Sequence, residues 1–167
     1  VSWVVSKLTG EEVDKDKPET ELIKLIDSGY YVCRYASENK KIEFVIRGGK
    51  SGPDFQLAHA HSDQLSYELL IDGKRFVVDS GVYGYAGNPY RAFQRSSKAH
   101  NIVWIDGVEQ LETWGVFRVA RRGNCEIEKV QFDGKTFKFV ATYYFYTGER
   151  HKRIIDFDYP YMTVRDE

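Results

Sequence analysis

The 167-residue sequence has two cysteines, one methionine, four prolines and no excess of either charge. Cys33 and Cys125 are too few for a disulfide framework or a cysteine-built zinc site, although one bridge between them stays open. With 24 basic against 25 acidic side chains, a polybasic nucleic-acid arm and a disordered acidic chain are both excluded as global descriptions. No apolar run approaches the roughly 18 residues of a membrane span, and no signal-peptide pattern opens the chain. Val1 stands where Met would be expected, which points to a processed protein or an excised piece.

What is present favours strands. Aromatics make up 15% of the residues, twelve of them Tyr, while Ala and Leu are sparse. Residues 1–28 read as a polar, acidic linker or lead-in, in which Glu19 to Asp27 either form a short helix stopped by Ser28-Gly29 or lie as loop or strand. Residues 29–167 read as one domain built from short β-branched and aromatic runs: Tyr30–Tyr35, Ile42–Ile46, Leu65–Ile71, Arg75–Val78, Ile102–Ile105, Val116–Ala120, Ile127–Phe132, Phe137–Tyr146 and Ile154–Tyr159. The pairs Asp72-Gly73, Asp106-Gly107 and Asp133-Gly134 sit between such runs, and Asp-Gly suits the positive φ angles of tight hairpin turns. Phe137, Phe139 and Ala141 alternate with Lys138, which predicts one wet face; Ile102-Val103-Trp104-Ile105 is apolar on both faces and is expected to be central. Hairpins without βαβ units predict an all-β, antiparallel sandwich or barrel.

Chemistry gathers around the histidines. His59 and His61 form a His-Ala-His pair, and in an extended strand residues i and i+2 share a face. Structural histidines produce the same spacing. Asp79 closes the Arg75–Val78 strand, either capping a turn or entering a site, and His100 lies in Ala99-His100-Asn101. Two His and one Asp supply the nitrogen and oxygen ligands that zinc accepts. A two-residue turn at Asp72-Gly73 sets Asp79 opposite Ser66, so His61 reaches it only if residues 62–65 bend back over the sheet end. Between Ser80 and Ile105 stand Arg91, Arg95 and Lys98 with no acid, interleaved with Tyr83, Tyr85, Tyr90 and Phe93. That loop suits a sugar carboxylate or sulfate, or else it is a solvated loop whose tyrosines pack at the rim. Nucleic acid is not expected, because the patch is short and the chain neutral.

The run His59-Ala-His61-Ser-Asp63-Gln64-Leu65-Ser66-Tyr67-Glu68-Leu69, followed by Val77-Val78-Asp79-Ser80-Gly81, Tyr83-Gly84-Tyr85, Arg95-Ser96-Ser97, Ala99-His100-Asn101 and Asp106-Gly107, resembles the heparinase II/III-like family of polysaccharide lyases. His151-Lys152-Arg153 and Arg165-Asp166-Glu167 resemble later strands of that family more loosely. The resemblance implies an antiparallel, supersandwich-like β-sandwich preceded by an (α/α) toroid, with the active site between them. It implies β-elimination on uronic-acid-containing glycans. It places His59 against the substrate as the catalytic candidate and zinc on His61, Asp79 and His100; the basic, Tyr-rich loop offers Tyr83, Tyr85 and Arg95 as candidate substrate contacts. It further implies a periplasmic or secreted location.

The departures from the family pattern shape the functional expectation. The catalytic Tyr of the family sits on the toroid, which the roughly 28 residues before the first strand cannot encode, so the chain alone is expected to lack lyase activity. Apolar surface left uncovered by missing neighbours favours self-association. A non-catalytic carbohydrate-binding or structural sandwich is the alternative. A cupin-like metal protein fits poorly: cupins place a Glu three or four residues after His-x-His, where Leu65 and Ser66 stand, and Glu68 comes too late.

Overall fold

The computed structural model describes residues 20–167, so the larger part of the polar lead-in lies outside the described residues. The expected hairpins form. β2 (Tyr30–Ser37), β3 (Lys40–Arg47), β4 (Tyr67–Ile71) and β5 (Lys74–Val77) run antiparallel in sequence order, with β1 (Glu21–Leu25) added at the edge beside β2. β8 (Asn124–Phe132), β9 (Thr136–Tyr144), β10 (Arg150–Asp158) and β11 (Tyr161–Asp166) make a second antiparallel sheet, and β6 (Leu111–Trp114) pairs with β7 (Arg118–Arg122) in a separate hairpin. The Asp72-Gly73 turn is the tight type foreseen, with φ values of 51° and 76°, and it pairs Ile71 with Lys74.

The two large sheets face each other across an aromatic core, which makes the architecture a sandwich. Tyr31, Cys33, Phe44 and Ile46 from the first sheet meet Phe137, Phe139, Ala141, Tyr143, Ile155 and Phe157 from the second. The Phe44 ring lies 5.2 Å from Phe137 and 5.3 Å from Phe157. Each such aromatic pair adds about 0.5–1.5 kcal/mol beyond its buried area. Phe137, Phe139 and Ala141 point into this core, and Lys138 points out to Asp156, as the alternation predicts. Cys33 and Cys125 are free thiols; burial pushes them up to about 12 and about 11.

One open alternative is decided and one expectation changes. Glu21–Leu25 is a strand and not a helix: it pairs with β2 in register Glu21 to Arg34, where the two side chains form an ion pair at 2.5 Å, and Leu22 packs on the core. A helix would have left that sheet edge open. The short 3-10 turn Ile26–Ser28 then ends at Gly29, whose φ is +69°; a side chain there would collide with the Arg47 guanidinium and the Gly48 carbonyl. Ile102–Ile105 is not a central strand. Ile105 makes only an isolated bridge with Val108, and Trp104 lies at the surface under Lys98 Nζ. The Asn101 carbonyl just before it accepts from Arg153, and Ile102 N–H turns back to the His100 carbonyl, so no ladder continues there.

Candidate functional site

The site lies where the β3–β4 connection, the chain after β5 and the segment after α1 (Pro89–Arg95) converge. His59 and His61 are in the irregular β3–β4 connection and not on a strand, so the shared-face argument from strand periodicity does not hold. Both nevertheless line one cleft of about 260 Å³, together with Tyr30, Asp63, Asp79 and His100. The required bend is present. Ser66 N–H donates to the Asp63 carbonyl, and Leu65 takes φ +69° while its side chain is fully buried, which folds residues 62–65 back over the sheet end.

Hydrogen bonds from side chains hold this irregular backbone. Gln110 Oε1 accepts from Gln64 N–H at 2.8 Å and Gln110 Nε2 donates to the Gln64 carbonyl at 2.9 Å, replacing a missing strand partner. Asn101 Nδ2 donates to the carbonyls of Tyr67 and Val78, tying the start of β4 to the residue before Asp79. The Asn of the Ala-His-Asn motif therefore places the neighbouring Asp79.

Of the three metal candidates, Asp79 and His100 are in direct contact and His61 lies beside them. His100 Nδ1 lies 2.6 Å from Asp79 Oδ2, and the other oxygen of Asp79 accepts from Gly81 N–H at 2.8 Å. The His61 and His100 rings are 5.5 Å apart. Burial raises the Asp79 carboxyl, but the hydrogen bonds from His100 and Gly81 outweigh it and hold it below the usual carboxylate range. Burial lowers His100, and the Asp79 bond and charge more than reverse this. Burial, then the charges of His100 and Arg91, bring His61 down to about 4, so its ring is neutral at neutral pH.

Arg91, read from the sequence only as one of three loop cations suited to an anion, instead sits against His61. It is 2% exposed, and its Nη1 lies 2.8 Å from His61 Nε2. A guanidinium can only donate, so Nε2 is the unprotonated nitrogen of His61. The same guanidinium sits 5.2 Å over the Tyr85 ring. A reader of the sequence could have found it from the four-residue spacing of Arg91 and Arg95, which puts both on one helix face.

His59 belongs to a different cluster within the same cleft. Its ring meets Tyr85 edge-on at 5.0 Å and lies 6.2 Å from Phe117 at the tip of the β6–β7 hairpin. Tyr83 stands apart, 80% exposed and 5.7 Å from Tyr90. Arg95 is 2% exposed, with Nε on the Ala60 carbonyl and Nη1 on the Val116 carbonyl. The basic loop thus presents less free charge than its composition suggests, because two of its three cations are buried against backbone and His61.

The donor set meets the demands of zinc only in part. In favour, two imidazoles and a carboxylate sit together, and His100 Nε2 is buried without a hydrogen bond. Against, Arg91 holds His61 Nε2, and among the described residues no group of three or more His, Cys, Asp or Glu side chains closes around a point. The residue types are those zinc accepts, while their arrangement here, with Arg91 on His61, does not close around one point.

Comparison with known proteins gives the family of the fold. The family model described as "Heparinase II/III-like, C-terminal" matches residues 17–167. A heparin-sulfate lyase of Bacteroides stercoris is 26% identical over 148 residues, covering 85% of this chain and 20% of that protein. A heparin-sulfate lyase of Pedobacter heparinus is 27% identical over 93 residues, covering 53% of this chain and 14% of that protein. Crystal structures of heparinase III and of the heparan sulfate lyase HepC from Pedobacter heparinus each give a TM-score of 0.71, at 20% and 21% identity. They match 90% and 98% of this chain, and 22% and 24% of their own. The chain thus spans about a fifth of the length of these relatives. With the whole sandwich and its cleft inside the matched range, the chain belongs to the heparinase II/III-like family, as a counterpart of its C-terminal domain.

Proposed function

We propose that this chain is the metal-bearing β-sandwich of a polysaccharide lyase that cleaves uronic-acid-containing glycans by β-elimination. The observation that carries the reading is the Asp79–His100 pair beside His61, in one cleft with His59, inside a chain of this family. In the reaction a base removes the C5 proton of the uronate, the electrons form the C4–C5 double bond, and the C4–O bond breaks. An acid then protonates the departing glycosidic oxygen. His59 opens onto the cleft and fits neutralisation of the uronate carboxylate or transfer of one of these protons. Tyr85 lies against His59 and fits contact with the sugar.

His61, Asp79 and His100 would hold zinc. When bound, zinc supplies positive charge and fixes the orientation of its ligands. The chain's own part is to keep His61 neutral by burial and Asp79 charged by its hydrogen bonds, which readies both as ligands. The catalytic Tyr of the family has no counterpart in this sandwich, and the chain by itself has no lyase activity. The working protein carries an N-terminal toroid against the cleft and acts outside the cytoplasm, where polymeric glycans lie.

Elemental analysis of the purified chain tests the metal directly. The expected result is close to one zinc per chain, lost in His61→Ala and in His100→Ala, with a melting temperature that falls on chelation. Bound zinc stabilises the native state by about 4 kcal/mol at a thousandfold excess over Kd. Folded chain that takes up no zinc and ignores a chelator overturns the metal assignment. It would favour a second reading, supported by Arg91 on His61 Nε2: a non-catalytic carbohydrate-binding or structural sandwich in which the guanidinium stands where a cation would. Growth of unsaturated-uronate absorbance with this chain alone, on heparan sulfate or alginate, overturns the claim of inactivity.

A further inference from the structure

We infer that Phe117, at the tip of the β6–β7 hairpin, is a specificity-determining residue that forms with Tyr85 an apolar strip for a sugar ring of the bound glycan. The inference rests on the glycan reading above and adds a subsite residue to it. Phe117 and Tyr85 come from segments about thirty residues apart in sequence, yet their rings lie 6.4 Å apart and only 27° from parallel. They are 45% and 52% exposed, and the ring of His59 touches both. A pyranose presents a face of axial C–H bonds, and an aromatic ring presents a flat apolar face with a negative quadrupole that such C–H groups favour. The strip therefore suits a sugar ring lying beside His59.

A hairpin tip that merely reached into solvent would not need fixing in place. This one is held from two sides. The Arg95 guanidinium donates to the Val116 carbonyl at 2.9 Å and approaches those of Gly115 and Arg118 at 3.5 Å, which flank Phe117 on both sides. The same guanidinium donates to the carbonyl of Ala60, the residue between His59 and His61. On the other side, a Cβ at Gly87 would lie 3.0 Å from Val116 Cγ2, so the Tyr85 loop approaches the tip as closely as a glycine allows. One buried arginine thus sets Phe117 relative to the His-Ala-His segment, and one glycine sets it relative to Tyr85.

Titration calorimetry of the chain with a size-defined heparan sulfate tetrasaccharide tests this, using Phe117→Leu and Phe117→Tyr. Leucine keeps an apolar side chain but removes the aromatic face; tyrosine keeps the face. The expected result is a Kd raised about three- to tenfold in Phe117→Leu and restored within about twofold in Phe117→Tyr, with melting temperatures unchanged. Wild-type affinity in Phe117→Leu overturns the role of Phe117 and leaves the glycan reading standing. No binding by the wild-type chain to this or an alginate tetrasaccharide overturns the glycan reading and the subsite with it.

Discussion

Arg153 and Asp166 stand directly opposite each other in the β10–β11 register, and the guanidinium forks onto the carboxylate, Nε to Oδ1 at 2.7 Å and Nη2 to Oδ2 at 3.0 Å. His151 Nε2 shares the same oxygen at 2.7 Å. Arg153 Nη1 continues to the carbonyls of Leu65 and Asn101, so this pair joins the second sheet to the two segments that carry His61 and His100. Asp166→Asn removes the charge and leaves a buried guanidinium without its counter-charge and with one acceptor oxygen where it had two. We expect a loss of about 3–5 kcal/mol, measured by urea denaturation at neutral pH.

The same pair gives a pH dependence with a definite sign. Burial raises the Asp166 carboxyl, but hydrogen bonds from His151 and Arg153 outweigh it and hold the group far below the usual range. A depressed folded value means the unfolded chain takes up the proton first. The stabilisation is therefore complete above the unfolded value of about 4 and is lost as pH falls towards the folded one. The stability gap between wild type and Asp166→Asn is expected to be constant from pH 7 to about 5 and to shrink below about 4. Denaturation midpoints of both proteins across that range check it, and a gap that widens in acid contradicts the assignment.

The strands were legible where side chains alternate or Asp-Gly marks a turn, as at Phe137–Ala141 and Asp72-Gly73. They were illegible where long-range contacts decide. Leu22 and Ile23 look helical locally, and only the exposed edge of β2 makes them a strand. Ile102–Ile105 has the composition of a central strand, but its neighbouring backbone groups bond to Arg153 and to each other. The cleft residues came from motif resemblance more than from periodicity, since His59 and His61 sit on no strand. Arg95, read as a substrate contact from its charge, is buried on carbonyls, and nothing local in Gln94-Arg95-Ser96 announces that.

Tyr143 links the far sheet to the same site. Its hydroxyl donates to the Gln110 carbonyl at 2.7 Å and accepts from Gly123 N–H at 2.9 Å, and burial raises the phenol to about 12. Gln110 in turn braces Gln64. Tyr143→Phe keeps the ring in the core but leaves a buried carbonyl and a half-buried N–H without this partner. The expected cost is about 1–3 kcal/mol by denaturation, with faster amide exchange at Gly123 as the local signature.

If His61, Asp79 and His100 hold zinc as proposed, Arg91 opposes it through charge and occupancy. With its guanidinium on His61 Nε2, any cation entering beside His61 and His100 must displace a like charge from a ligand nitrogen. Arg91→Met removes that charge and keeps a long apolar side chain. Zinc affinity, measured by competition with a chelating dye, is expected to rise about tenfold. A fall in affinity would instead mean that Arg91 holds His61 in its ligating position.

Arg95 is the last test, because its expected role is mechanical. Its guanidinium is the shared donor for the Ala60 carbonyl in the His-Ala-His segment and the Val116 carbonyl in the β6–β7 tip. Arg95→Met fills much of the same volume but supplies no donor, so both carbonyls lose a charge-assisted bond. Hydrogen bonds to charged groups contribute about 1.5–3 kcal/mol each, and partial access of water to the tip offsets part of this. The expected loss is about 2–4 kcal/mol, accompanied by preferential proteolytic cleavage between Gly115 and Arg118 while the sandwich stays intact. Arg95→Lys, with one compact donor in place of a planar fork, can serve one segment or the other but not both. It is expected to recover part of the stability and to leave the tip susceptible, a split that simple loss of charge does not produce.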